Sequence, residues 1–154
     1  MIERAVRLVP FSPPSVERAR ILAGQGGRLM MLGRLRDARR ISEDAVEMAR
    51  AVGEPLVECT ALNTLGAVSC YLDDVPRGLE QIEAALALAK ACGDSHQQMR
   101  AYWNAAVCRA ENGRWDEAID RYRAAIEELP RLGLAHQLPE LYMYLAQDLV
   151  WVGR

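Results

Sequence analysis

Residues 111–119 read ENGRWDEAI, and altered copies of this stretch recur along the chain. MLGRLRDAR occupies 31–39, YLDDVPRGL occupies 71–79, and WVGR occupies 151–154. Gly33, Asp73, Gly113 and Gly153 therefore stand 40 residues apart. The same interval relates Gly53, Gly93 and Gly133, and also Ala5, Ala45, Ala85 and Ala125. It recurs in Gly26, Gly66, Ala106 and Ala146, and in Ala38, Gly78 and Ala118. Registers that stay in phase mark a repeat whose units stack on their neighbours.

Each register has a physical reading. Gly33 and Gly113 follow apolar helical stretches and suit a helix C-terminus, where a left-handed residue is needed. Asp73 takes that place in the middle unit. Gly53, Gly93 and Gly133 end a second helix in the same way. Pro55 and the Asp94–Ser95 pair give start signals for the helices that follow, with Ser95 and Gln98 fitting a capping box. Ser15 is a predicted N-cap. The small residues at 26, 66, 106 and 146, and at 45, 85 and 125, let helix backbones approach closely. Between these marks the apolar spacing is helical: Leu62, Leu65, Ser69 and Leu72, then Leu79, Ile82, Leu86 and Ala89.

The expected fold is all-α: a right-handed solenoid of antiparallel helix pairs with about eight helices at a period of 40 residues. First helices fall near 15–32, 55–72, 95–112 and 136–152, and second helices near 35–52, 75–92 and 115–132. Full repeats then cover 15–53, 55–93 and 95–133. Residues 1–10 align with the end of a preceding second helix, and 136–154 supply the first helix of a further unit. The whole of 1–154 is read as one repeat domain and as a piece of a longer chain, since neither end carries a polar capping repeat.

Composition agrees. Hydrophobic residues make up 51% and charged residues 26% of 154, enough for one sizeable core. A net charge of -2 argues against a nucleic-acid surface. MIERAVRLVP lacks a signal-peptide core and no run reaches the ~20 apolar residues of a membrane span, so a cytoplasmic protein without membrane contact is expected. Cys59, Cys70, Cys92 and Cys108 match no zinc spacing and read as reduced core residues.

The motifs resemble the tetratricopeptide repeat. Leu62, Leu65, Gly66, Asp73, Gly78, Ile82 and Ala85 carry the likeness, and Tyr102, Ala106, Gly113, Ala118, Tyr122, Ala125 and Pro130 carry it more fully. The units are longer than the usual ~34 residues. ALNTLGAVSCYLDDVPRGLEQIEAALALAKACGD and CRAENGRWDEAIDRYRAAIEELPRLG are similar to the helical-repeat region of large bacterial signal-transduction ATPases, including LuxR-type and MalT-like regulators. The resemblance implies the sensor or scaffold part of a transcriptional regulator. Its ATPase and DNA-binding parts have no counterpart in these residues.

No catalytic constellation stands out, and neither a cofactor nor a metal site is expected. GQGGR at 24–28 lacks the Lys-Ser/Thr and preceding strand of a phosphate loop and falls inside a helix. His96 and His136 share a repeat position and read as surface or capping residues. RLRDARR at 34–40 is followed by Glu43, Asp44 and Glu47, so it reads as a face of ion pairs.

The functional expectation rests on a concave groove lined by the first helices. Matched positions are Arg20, Thr60 and Arg100; Asn63, Trp103 and Met143; Ala67, Val107 and Gln147; and Tyr71 with Trp151. Arg100, Asn63 and Asn104 have the chemistry to hold a carboxylate or peptide carbonyls. Trp103, Tyr71 and Trp151 offer rigid apolar area. The expected partner is a protein, a peptide or a small inducer. The alternative is self-association, as a homodimer, through the terminal helices. Its predicted face is Leu141, Tyr144, Leu145, Leu149 and Val152.

Overall fold

The computed structural model describes residues 13–72 and 74–153. Among these are seven α-helices: α1 (Val16–Met31), α2 (Leu35–Val52), α3 (Pro55–Tyr71), α4 (Val75–Ala91), α5 (Ser95–Glu111), α6 (Trp115–Glu128) and α7 (Leu138–Trp151). A short 3₁₀ turn, Ala135–Gln137, precedes the last. The helices pair as α1/α2, α3/α4 and α5/α6, and each pair packs on the next. The chain is an all-α solenoid of helix pairs. The eighth helix expected over 1–10, and the role given to Asp73, lie outside the described residues.

The turns obey the glycine registers. Gly53 has φ +69° and Gly113 has φ +73°, and the matched glycines at 33, 93, 133 and 153 share this left-handed state. At Gly53 the turn closes with Gly53 N donating to the Arg50 carbonyl (3.2 Å) and Glu54 N to the Ala49 carbonyl (3.0 Å). These bonds satisfy carbonyls that the helix end would otherwise leave open.

Helix starts follow the sequence with two adjustments. Ser15 caps α1, its hydroxyl accepting from Arg18 N at 3.2 Å. Asp94, not Ser95, caps α5, its carboxylate accepting from Gln97 N at 2.8 Å. Gln98, assigned to a capping box with Ser95, is instead buried, and its amide reaches the Ala89 carbonyl at 3.5 Å. Helix α6 ends at Glu128, short of the expected 132, because Pro130 has no N–H to continue the ladder.

The small-residue register sets how closely the paired helices cross. In the second pair Gly66 and Gly78 meet backbone to backbone: a Cβ on either would lie 2.6 Å from the other's carbonyl oxygen. In the first pair Gly26 faces Ser42, and in the third Ala106 and Ala118 are both fully buried. Around these crossings lie two apolar clusters. One centres on Leu22, Ile41, Val46, Leu62 and Val68. The other centres on Ile82, Leu86, Tyr102, Tyr122, Leu129 and Leu141.

GQGGR stays within continuous helix α1, with Gly24 in open space and Gly27 beside Thr64. The basic segment makes the ion pairs Arg34–Asp37 (2.7 Å) and Arg40–Asp44 (3.7 Å), whereas Glu43 pairs with Arg77 of α4. Cys59, Cys70 and Cys108 are buried. Cys92 is exposed, a departure from the core role expected of it, because it caps the end of α4.

Candidate functional site

Helices α1, α3 and α5 pack directly on one another, with α3 in the middle. This proximity decides the fate of the expected groove. Asn63 and Ala67 on α3 are buried, and a Cβ on Gly27 would lie only 3.9 Å from the Thr64 hydroxyl. Arg100 reaches across from α5, donating to the Thr64 hydroxyl at 2.7 Å and the Thr60 carbonyl at 3.4 Å. Burial lowers its pKa below the ordinary arginine value. Asn104 donates to the Asn63 side-chain oxygen at 2.6 Å. The structure thus brings Arg100, Asn63 and Asn104 together and turns them toward α3 and each other. They act as cross-braces between first helices.

The remaining groove residues are scattered. Arg20 is exposed and pairs with Glu54 at 3.6 Å. Tyr71 is 47% exposed at the end of α3. Trp103 packs edge-on to Tyr144 of α7, with ring centroids 4.3 Å apart. Trp151 is 71% exposed and stacks on Trp115 at 6.5 Å.

The face assigned to self-association is also turned inward. Leu141 is buried in the second core cluster, and Tyr144 and Leu145 pack against that cluster. Leu149 and Val152 are partly buried. The large apolar side chains that α7 exposes are Tyr142, Met143, Val150 and Trp151.

A cleft of about 490 Å³ opens where the end of α5, the start of α6 and the end of α7 converge. Its aromatic walls are Trp115, Tyr122, Tyr144 and Trp151, and its carboxylates are Glu111 and Asp148. Trp115 and Trp151 lie nearly parallel, at 16°, and Tyr122 and Tyr144 likewise, at 18°. Asp148 is buried, and its Oδ2 atom has no hydrogen-bond partner among the described residues. Burial, and then the charge of Glu111, raise its pKa above the ordinary aspartate value of 3.8. Burial also pushes the Tyr122 phenol up, with Asp148 adding to the shift.

A second cavity, about 430 Å³ between α2, α3 and α4, differs in chemistry. Its Arg77 and Glu43 pair at 3.4 Å, and its Arg50 pairs with Glu58 at 2.6 Å. Both arginines there are engaged in ion pairs with carboxylates. The α5/α6/α7 cleft has no basic lining residue among the described residues.

The sequence reading found Trp151 and Tyr144 but placed them in different sets, and it passed over Glu111, Trp115 and Asp148. The signal was available in the repeat register. Position 148 corresponds to Arg28, Val68 and Cys108, and position 115 to Leu35 and Val75. An acid stands where the second and third units carry buried apolar residues, and an indole where the first and second carry partly buried ones.

No helix among the described residues is long and apolar enough to cross a membrane. No curated protein is similar enough to the chain to inform its role. Residues 57–127, from α3 to the end of α6, match the tetratricopeptide repeat family, whose repeats are typically non-catalytic scaffolds that mediate protein–protein interaction.

Proposed function

We propose that the chain is a non-catalytic module that binds a protein or peptide in the cleft between α5, α6 and α7. The observation that carries this reading is the open aromatic cleft with Trp151 71% exposed at its rim. Exposed tryptophan beside fixed aromatic walls supplies large, rigid contact area at low entropic cost. The α1/α3/α5 face is a weaker site, because Arg100, Asn63 and Asn104 already spend hydrogen bonds on bracing helices. The likeness of residues 61–94 and 108–133 to LuxR-type and MalT-like regulators supports reading the module as the sensor part of a bacterial transcriptional regulator. Occupancy of a cleft shared by two repeats would bias their packing and be felt by attached domains.

Selection of peptides from a random display library tests the reading. Peptides enriched on the wild-type protein should be lost on a Trp151→Ala variant that melts normally. Failure to enrich any peptide, or enrichment indifferent to Trp151, would reject the cleft as the site.

A second reading has its own observation. Tyr142, Met143 and Val150 are 53%, 56% and 76% exposed on α7, and Ala146 between them is exposed too. A second copy covering this stripe would give a dimer that Val150→Glu dissociates, as sedimentation velocity would record.

A further inference from the structure

The chemistry of the α5/α6/α7 cleft narrows what it accepts. Asp148 is only 6% exposed, its Oδ2 atom lacks a hydrogen-bond partner among the described residues, and it lines the cleft. A buried carboxylate without a compensating donor is costly, and such costs are retained where a ligand repays them. Glu111 adds a second negative charge to the same wall, and no Lys, Arg or His among the described residues lines it.

The aromatic walls favour the same sign. Trp115 and Trp151 present stacked indoles, and indole faces attract cations through the ring quadrupole. Repeat comparison shows that the combination is local. At the positions matched to Asp148, the first unit carries an exposed Arg28 and the next two carry Val68 and Cys108, 0% and 2% exposed. Acid and indole arrive together at one junction only. An uncharged apolar ligand would account for the tryptophans and leave Asp148 unexplained.

Resting on the peptide-binding reading above, we propose that this cleft seats a basic side chain, arginine or lysine, of the bound peptide. The guanidinium or ammonium would donate to Asp148 and Glu111. Its alkyl stem and cationic face would lie against Trp115 and Trp151. Arginine fits best, because a planar fork can pair with a carboxylate while stacking on an indole.

Tryptophan fluorescence titration in a Trp103→Phe background tests this, leaving Trp115 and Trp151 as reporters. The probes are end-capped glycine-serine peptides carrying a single arginine, a single lysine, or a single citrulline, the neutral isostere of arginine. The arginine and lysine forms should bind at least about tenfold more tightly than the citrulline form. Asp148→Asn, which keeps the shape and removes the charge, should abolish that preference while the circular dichroism spectrum stays unchanged. Equal binding of arginine and citrulline forms, or a preference intact in Asp148→Asn, overturns the charge assignment and leaves peptide binding standing. Binding of none of the three, in a protein that also enriches no peptide from the display library, overturns both. Saturable binding of choline with none of the peptides would also overturn the proposal.

Discussion

Replacing Gly66 by alanine should destabilise the protein, although alanine is the better helix former. The new Cβ would sit 2.6 Å from the Gly78 carbonyl oxygen, 2.6 Å from Ile82 Cγ1 and 3.0 Å from Ile82 N. Two of these three obstacles are backbone, so α3 and α4 must separate to relieve them. Overpacking of this kind costs about 1–3 kcal/mol, and backbone obstruction places Gly66 near the upper end. The gain in helix propensity returns about 1 kcal/mol. The net loss is about 2 kcal/mol, or roughly 4–8 °C in melting temperature for a chain of this length. Ala106 and Ala118 hold the matched positions in the third pair, so an alanine-spaced hairpin exists in this fold. The cost therefore arises from widening one hairpin between neighbours that keep their spacing. Gly24→Ala is the internal control. Nothing lies within 4 Å of its Cβ, so it should gain about 0.5–1 kcal/mol. Thermal unfolding followed by circular dichroism at 222 nm reads both. A Gly66→Ala protein that melts at or above wild type would refute the backbone crossing at Gly66 and Gly78.

Other consequences can be measured directly. Arg100→Met keeps the aliphatic stem but removes the bonds to Thr60 and Thr64, and should cost about 1–3 kcal/mol in urea unfolding. In thiol labelling, exposed Cys92 should react first. Cys59 should resist until unfolding, because burial pushes its pKa up to about 11 and its thiol bonds the Ala85 carbonyl at 3.2 Å. Asp148→Asn should raise the melting temperature at neutral pH. With the pKa of Asp148 raised in the folded state, the native protein binds a proton more tightly than the unfolded one. The aspartate therefore weakens the fold above its raised pKa, and that penalty disappears as pH falls toward 3.8. The gap between variant and wild type should close over the same range.

The architecture was legible because its punctuation has one physical cause. A left-handed residue is needed at each turn, and glycine supplies it at Gly53 and Gly113. Side-chain partners were less legible. The 40-residue interval puts Asn63, Trp103 and Met143 on one face, but it does not give the curvature between successive first helices. That curvature decides whether such a face is open groove or packed seam. At α3 it is a seam, so Asn63 is buried and Arg100 serves as a brace. On α7 the apolar stripe beginning at Leu141 read as an open self-association face, yet it packs back on the preceding pair. Asp148 was overlooked for the opposite reason. A single acid on a helix reads as solvated charge unless the buried Val68 and Cys108 of the two preceding units are set beside it.

The most direct test of the binding account is a nitrogen–proton correlation spectrum of the labelled protein, titrated with the single-arginine peptide. The indole N–H signals of Trp115 and Trp151 and the amides around Glu111 and Asp148 should move together and saturate, while those of Arg20 and Thr60 stay in place. Shifts centred on Arg20 and Thr60, with both of those indoles unmoved, would contradict it.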